Sequence, residues 1–374
     1  MYNGLRAVLL LVATGGVTGV MACRRDLGPV VFAAASPWHL DYALGTRQGI
    51  ELAVDEINAA GGIRGRPLQI RWCDDSGSGA GAVAVAESVV ADTRVLAVIG
   101  HMNSDAMLAA ARIYDHRVTA ISPAATTPDL SGLSHWVFRV ITSDSANGAA
   151  VARFAVQTLG AHRAAVLFEN DAYGRGLARA FRHAFAGTIV ASDPIAADAA
   201  TYEPYITYLR TLHPDVVFVA GLAPSGLGVL RDAKRQRMPG AFVGGDGWIG
   251  INSDTVTAEG AYIATPFTRS EPRPEVRQFT AAFETRFHAE PEEDAALAYD
   301  ATRLFAAAVT AAGPSRDAVR RYLTALDATH PFTGVTGRHY FLPTGDPAGR
   351  SVIVARVRHG TLTIDSSASA APQS

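Results

Sequence analysis

Residues 95–127, VLAVIGHMNSDAMLAAARIYDHRVTAISPAATT, carry the pattern that decides the fold. An apolar run at 95–99 stops at Gly100-His101-Met102-Asn103-Ser104. A helical stretch follows over 104–114, and a second apolar run at 118–121 ends in Ser122-Pro123-Ala124-Ala125-Thr126-Thr127. Strand, helix and strand in that order form a βαβ unit, which builds parallel sheet. Each strand of the unit also ends in small and polar residues.

Working outward, the unit repeats. Towards the N-terminus stand strands at 30–35 and 68–72 and helices at 45–60 and 80–91. The first of these helices puts Ile50, Ala53, Val54 and Ile57 on one face and ends at Gly61-Gly62. A second series opens with helix 148–159 and strand 164–168, then helix 175–186 and strand 188–191. It closes with helix 202–212, strand 216–220, helix 225–236 and strand 241–244. Each series is too short for a TIM barrel and long enough for one open sheet. Three more helices are expected at 273–289, 294–312 and 315–326, then a hairpin or strand at 351–364 and a disordered tail at 366–374.

The 374 residues suffice for two lobes, and 48% hydrophobic against 18% charged content provides for a sizeable core. A net charge of −2 argues against nucleic acid, whose phosphates need a basic surface. At the N-terminus, Arg6 precedes an apolar run at 7–20, so residues 1–22 read as a signal peptide rather than a spanning helix of about 20 residues. Two cysteines, Cys23 and Cys73, exclude a disulfide framework, a cysteine-built zinc site and a Cys-x-x-Cys redox motif.

Ligands in open α/β sheets bind beyond the carboxyl ends of the strands. The candidates there are Ser104, Thr126, Tyr173 in Glu169-Asn170-Asp171-Ala172-Tyr173-Gly174, and Asp246 in Gly245-Asp246-Gly247-Trp248. A serine beside free helix N–H groups suits a carboxylate. Taken singly, Ser104 and Thr126 read better as helix caps, and Asp246 has an Asx-turn reading within its glycine-rich loop. Their co-occurrence with Tyr173 at other strand ends shifts the reading toward a site.

Four blocks carry a family resemblance: 49–62 (GIELAVDEINAAGG), 98–104 (VIGHMNS), 121–130 (ISPAATTPDL) and 171–181 (DAYGRGLARAF). In this order and spacing they resemble the leucine/isoleucine/valine-binding proteins, a branch of the type I periplasmic binding proteins. The resemblance runs from about residue 30 to about residue 345. It implies an α/β fold of two similar lobes, each a mostly parallel sheet flanked by helices, joined by a three-crossover hinge. The lobes are expected at 28–140 plus 268–332 and at 141–264 plus 337–365, with crossovers near 140–143, 264–268 and 332–337.

The resemblance also implies a function: the extracytoplasmic solute-binding component of an ABC importer, closing on an amino acid or related small solute and partnered by a membrane permease. Ser104, the backbone of Ala124 and the hydroxyl of Thr126 would hold the carboxylate and ammonium. Tyr42 and Tyr173 would close over the ligand from opposite lobes, and Asp246 would pair with the ammonium. Val20-Met21-Ala22-Cys23 resembles a lipobox, which makes Cys23 the expected lipidation site of an envelope lipoprotein. Two departures bear on selectivity. Asn103 stands where better-known members carry a disulfide cysteine, and Leu222 and Ala223 stand where those members present tyrosine. Trp38 and Trp248 either line a wider or more aromatic pocket or are partly buried core or surface residues.

Rival readings are weaker. Gly77-Ser78-Gly79-Ala80-Gly81-Ala82 fits a dinucleotide fingerprint, but the next strand ends in Gly100-His101, without the acid that would bind ribose. No G-x-S-x-G, Walker or H-E-x-x-H motif occurs, so neither catalytic residues nor cofactors are expected. His101 reads as a hydrogen-bonding residue behind the crevice. Glu292-Glu293-Asp294 reads as a charged helix N-terminus rather than a metal cluster. A ligand-sensing module of the same fold remains the alternative, disfavoured by the signal sequence.

Overall fold

Strands buried on both faces need continuous apolar runs, and short runs of this kind build the central strands of both large sheets. The computed structural model describes residues 1, 28–269, 271–350 and 352–364. The expected signal peptide, Cys23 and the 366–374 tail lie outside them. In chain order the elements begin with β1 (Val30–Ser36), α1 (Leu44–Ala59), β2 (Leu68–Asp74), α2 (Gly79–Ala91), β3 (Val95–Gly100), α3 (Ser104–Tyr114), β4 (Thr119–Ser122) and β5 (Val137–Arg139). Next come α4 (Asp144–Gln157), β6 (Arg163–Glu169), α5 (Ala172–Ala184), β7 (Thr188–Ile195), α6 (Glu203–Leu212), β8 (Val216–Ala220), α7 (Ala223–Arg235), β9 (Ala241–Gly244) and β10 (Tyr262–Thr265). Helices α8 (Pro274–Phe287), α9 (Glu293–Ala312) and α10 (Arg316–Thr324) follow, then β11 (Phe332–Gly334), β12 (Gly337–His339), β13 (Ile353–Arg358) and β14 (Thr361–Ile364).

The first sheet has the order β2-β1-β3-β4-β5, all parallel. The second runs β7-β6-β8-β9-β10, also parallel, and is extended by β13 and β14, which pair antiparallel. The two five-strand cores share one topology, so this is a two-lobed α/β fold. In both, the strand order reverses beside the first strand, at β1/β3 and at β6/β8. Crevices form at such reversals.

Alternate residues of each strand feed opposite layers. Phe32, Ala34, Ala97 and Ile99 pack with Ile50, Leu297, Leu304 and Phe305. Ala33, Ala35 and Val98 pack with Ala86, Met107 and Ala110. In the second lobe Val166 and Phe218 face Phe154 and Phe181, while Leu167 and Val219 face Ile206 and Val229. Helices α9 and α10 therefore return to the first lobe before β13 and β14 complete the second. The α1–α9 contact is close because Gly49 lies against the Ala295 backbone, leaving no room for a side chain.

The third crossover differs from the expected 332–337. Phe341 stacks edge-on with Phe138 at 5.0 Å, Gly132 N–H donates to Thr344 O, and Arg139 N–H donates to Gly345 O. Residues 341–346 thus belong to the first lobe, and the chain re-enters the second near Val352. Apolar periodicity ends at Leu326, so nothing in the pattern marked this irregular segment.

Candidate solute site

On the first lobe, the loops after β3 and β4 are locked to each other. Ser122 Oγ donates to His101 O (2.6 Å) and accepts from Ala125 N–H (2.8 Å) and Ala124 N–H (3.3 Å). Ser104 Oγ accepts from Thr127 N–H at 3.3 Å. Behind them Arg139, 1% exposed, donates to Thr127 O (2.9 Å), Ala125 O (3.4 Å) and Asp346. The capping alternative fits neither candidate: Ser104 follows the N-cap Asn103, and Thr127 rather than Thr126 caps the 3-10 turn Pro128–Leu130. Thr126 Oγ1 is fully buried and makes no hydrogen bond.

His101 is fully buried, with Nδ1 2.6 Å from Asp75 Oδ2 and Nε2 2.8 Å from Tyr114 Oη. Both ring nitrogens are engaged away from the crevice, as a supporting residue requires. Tyr42, on the 3-10 turn Asp41–Ala43, is 40% exposed and pairs with Asn103 (3.2 and 3.3 Å) at the lobe edge.

On the second lobe, Tyr173 and Asp246 are brought together. Tyr173 Oη donates to Asp246 Oδ1 (3.2 Å) and accepts from Gly247 N–H (2.9 Å), and Asn147 Nδ2 reaches the same carboxylate oxygen at 3.4 Å. These donors lie on α5 and α4, so the carboxylate is held from other elements rather than serving its own turn. A Cβ at Gly247 would stand 2.7 Å from Tyr173 Oη, which explains the glycine-rich loop. Burial pushes the Asp246 carboxyl up to about 6, with its own backbone N–H and the Tyr173 hydroxyl opposing.

Two residues missed by the sequence reading also face this region. The helix expected at 148 begins at Asp144, whose side chain is fully buried with both oxygens unpartnered. Burial foremost, then the Asp246 charge, hold its carboxyl well above the usual range. Glu293 opens α9 as the charge pattern suggested, yet it is buried, bonded to Thr265 Oγ1 through one oxygen and unpartnered at Oε1. Among the described residues no acidic or histidine group forms a metal cluster.

Trp248 is fully enclosed in the second-lobe core over Gly226 and Gly244, which settles its alternative as core rather than pocket wall. Trp38 is half-buried, donates to Cys73 O at 2.8 Å and meets Trp72 edge-on. Leu222 precedes α7, its N–H given to Glu169 Oε1 at 3.0 Å. The lobes meet through Asp144 N–H to Thr126 O (2.8 Å), Ala172 N–H to Asp105 (3.3 Å) and Arg179 to Asp129 (2.9 Å).

Two same-topology lobes whose strand-end loops face one crevice have counterparts of known kind. The family pattern for periplasmic binding proteins matches residues 34–361. The chain belongs to that family. The Leu/Ile/Val-binding protein of Escherichia coli K12 is 32% identical over 246 residues, 64% of this chain and 67% of that protein. Among solved structures, the branched-chain amino acid transporter substrate binding protein LivJ from Streptococcus pneumoniae, in complex with isoleucine, superposes with a TM-score of 0.83 at 25% identity. The superposition covers 90% of this chain and 99% of LivJ. An ABC transporter substrate-binding protein from Desulfitobacterium hafniense, in complex with Leu, gives 0.79 at 30% identity over 90% and 99%. The present protein is therefore a type I periplasmic binding protein of the leucine/isoleucine/valine-binding branch. That family works outside the cytoplasm as solute-binding components of ABC importers. No described helix is long and apolar enough to cross a membrane.

Proposed function

We propose that the protein binds an amino acid between its lobes, without chemical change, and presents it to an ABC permease. The observation that carries this is complementarity across the crevice. One lobe offers the Thr126 hydroxyl with the Ser104–Ala124 loops, and the other offers the buried Tyr173–Asp246 pair. A zwitterion needs donors at one end and a carboxylate at the other, in charge-assisted bonds. The proposal includes Tyr42 as a closing aromatic at the rim, hinge closure as the signal of loading, and the lobe division near 140 and 266.

Because a ligand stabilises by RT ln(1 + [L]/Kd), a thermal-shift panel tests the reading directly. An amino acid at 100 times its Kd contributes about 2.7 kcal/mol and should raise the melting temperature by several degrees. A panel of amino acids without a shift would overturn it, and recovery of a chemically altered ligand would overturn binding without turnover.

Lipidation at Cys23 is part of the same proposal, supported by the lipobox-like Val20-Met21-Ala22-Cys23. Stable anchoring takes two lipid signals rather than one chain. Cys23→Ser is expected to move the protein from the membrane to the soluble fraction on cell fractionation. A wild-type protein already found in the soluble fraction would refute the anchor.

A further inference from the structure

Three buried carboxylates, Asp144, Asp246 and Glu293, converge where the lobes meet. Asp144 opens α4, and Asn147, one turn later, touches Asp246. Glu293 opens α9 and is held by Thr265, at the end of the strand paired with β9. All three are at most 5% exposed, and among the described residues none forms an ion pair. The nearby Arg139 guanidinium is taken up by Asp346, Ser131 and two carbonyls. Both oxygens of Asp144 and Oε1 of Glu293 make no hydrogen bond.

The unmet polar groups are not all acidic. Thr126 Oγ1, fully buried, stands beside the Asp144 carboxylate and has no other partner. An unpaired charge in a water-poor site is strongly unfavourable, so in the empty site these carboxyls favour the protonated form, and a bound cation would take the protons' place. A single ammonium shared by Asp246 and Asp144, whose charges act on each other, would leave Glu293, bonded only to Thr265, without a counter-charge. An aliphatic side chain such as leucine's would then press against a buried carboxylate.

We propose that the solute is a basic amino acid with two ammonium groups. Its α-ammonium sits between Asp246 and Asp144, its side-chain ammonium at Glu293 Oε1, and its carboxylate on the Ser104–Thr126 loops. This rests on the amino-acid reading above and narrows its substrate class. Burial also keeps the Asp144 and Glu293 carboxyls above the usual range in the empty site, as the lack of a counter-charge requires.

Calorimetric titration of the whole mature protein with L-lysine, L-ornithine, L-norleucine and L-leucine decides the matter. Norleucine has lysine's chain without the second ammonium. Lysine or ornithine should bind at least tenfold more tightly than norleucine, and Glu293→Gln should remove most of that preference. The wild-type comparison stands even if the variant fails to fold. Norleucine or leucine binding as tightly as the diamino acids would overturn the inference and leave the amino-acid reading intact. A preference unchanged by Glu293→Gln in a folded variant would also overturn it. Binding of none of the four would sink the inference and count against the reading itself.

Discussion

Asp246→Asn is expected to weaken amino-acid binding at least tenfold at pH 7 while raising the melting temperature of the empty protein. The two effects have one origin. A hydrogen bond to a charged group contributes about 1.5–3 kcal/mol, or roughly 10- to 150-fold in affinity. Asparagine can still accept from Tyr173 and Asn147, but it cannot neutralise an ammonium. In the empty protein the same carboxylate is a burden. Its folded pKa of about 6 lies above the ordinary 3.8, so between about pH 4 and 6 the folded state holds more protons than the unfolded one. Stability falls as pH rises through that window. A difference of about 2 pKa units corresponds to about 3 kcal/mol at neutral pH. Asparagine does not titrate, so the variant's advantage should be present at pH 7 and shrink towards pH 4. Thermal melts across that range, with calorimetry at pH 7, check both halves. Unchanged affinity would remove Asp246 from the site, and a lower melting temperature at pH 7 would refute its electrostatic burden.

The lobes were legible because their strands are buried on both faces. Runs such as Val216–Ala220 have little ambiguity when both neighbours are amphipathic helices. The strand ends were legible for the same reason, and with them the positions of Ser104, Thr126, Tyr173 and Asp246 just beyond those ends. Asp144 was missed because Ser143-Asp144-Ser145 reads as a loop until the helix after it is seen to start four residues early. Glu293 was seen but taken only for part of a charged helix N-terminus, since no local pattern distinguishes an acidic helix start in water from one under a second lobe. Trp248 was undecidable from its own neighbours: what encloses it, Gly226, lies on α7. Burial by distant elements is the information that a local pattern lacks.

Arg139→Leu should cost more stability than any single change at the crevice surface. Arg139 sits at the end of β5, read from the sequence only as a crossover, and its guanidinium is closed on every side. It binds Asp346 through Nε at 2.7 Å, Ser131 Oγ at 2.6 Å, and the carbonyls of Thr127 and Ala125. Leucine fills part of the volume but leaves the Asp346 carboxylate without its cation and removes the side-chain donor from the Ala125 and Thr127 carbonyls. Breaking a buried ion pair on one side costs about 3–5 kcal/mol, which should lower the melting temperature on the order of 10 °C. The Thr127 and Ala125 carbonyls flank Thr126, so the ligand loop loses its rear anchor and amino-acid affinity should fall as well, although Arg139 itself is sealed from the crevice. The partner change separates charge from shape. Removing both charges, Arg139→Leu with Asp346→Leu, should recover part of the lost stability, because two apolar groups leave less unpaired charge than one orphaned carboxylate. Denaturant midpoints for the wild type, both single variants and the double variant give the coupling. A single variant as stable as wild type, or a double variant no better than the Arg139→Leu single, would show that Arg139 does not support this loop through Asp346.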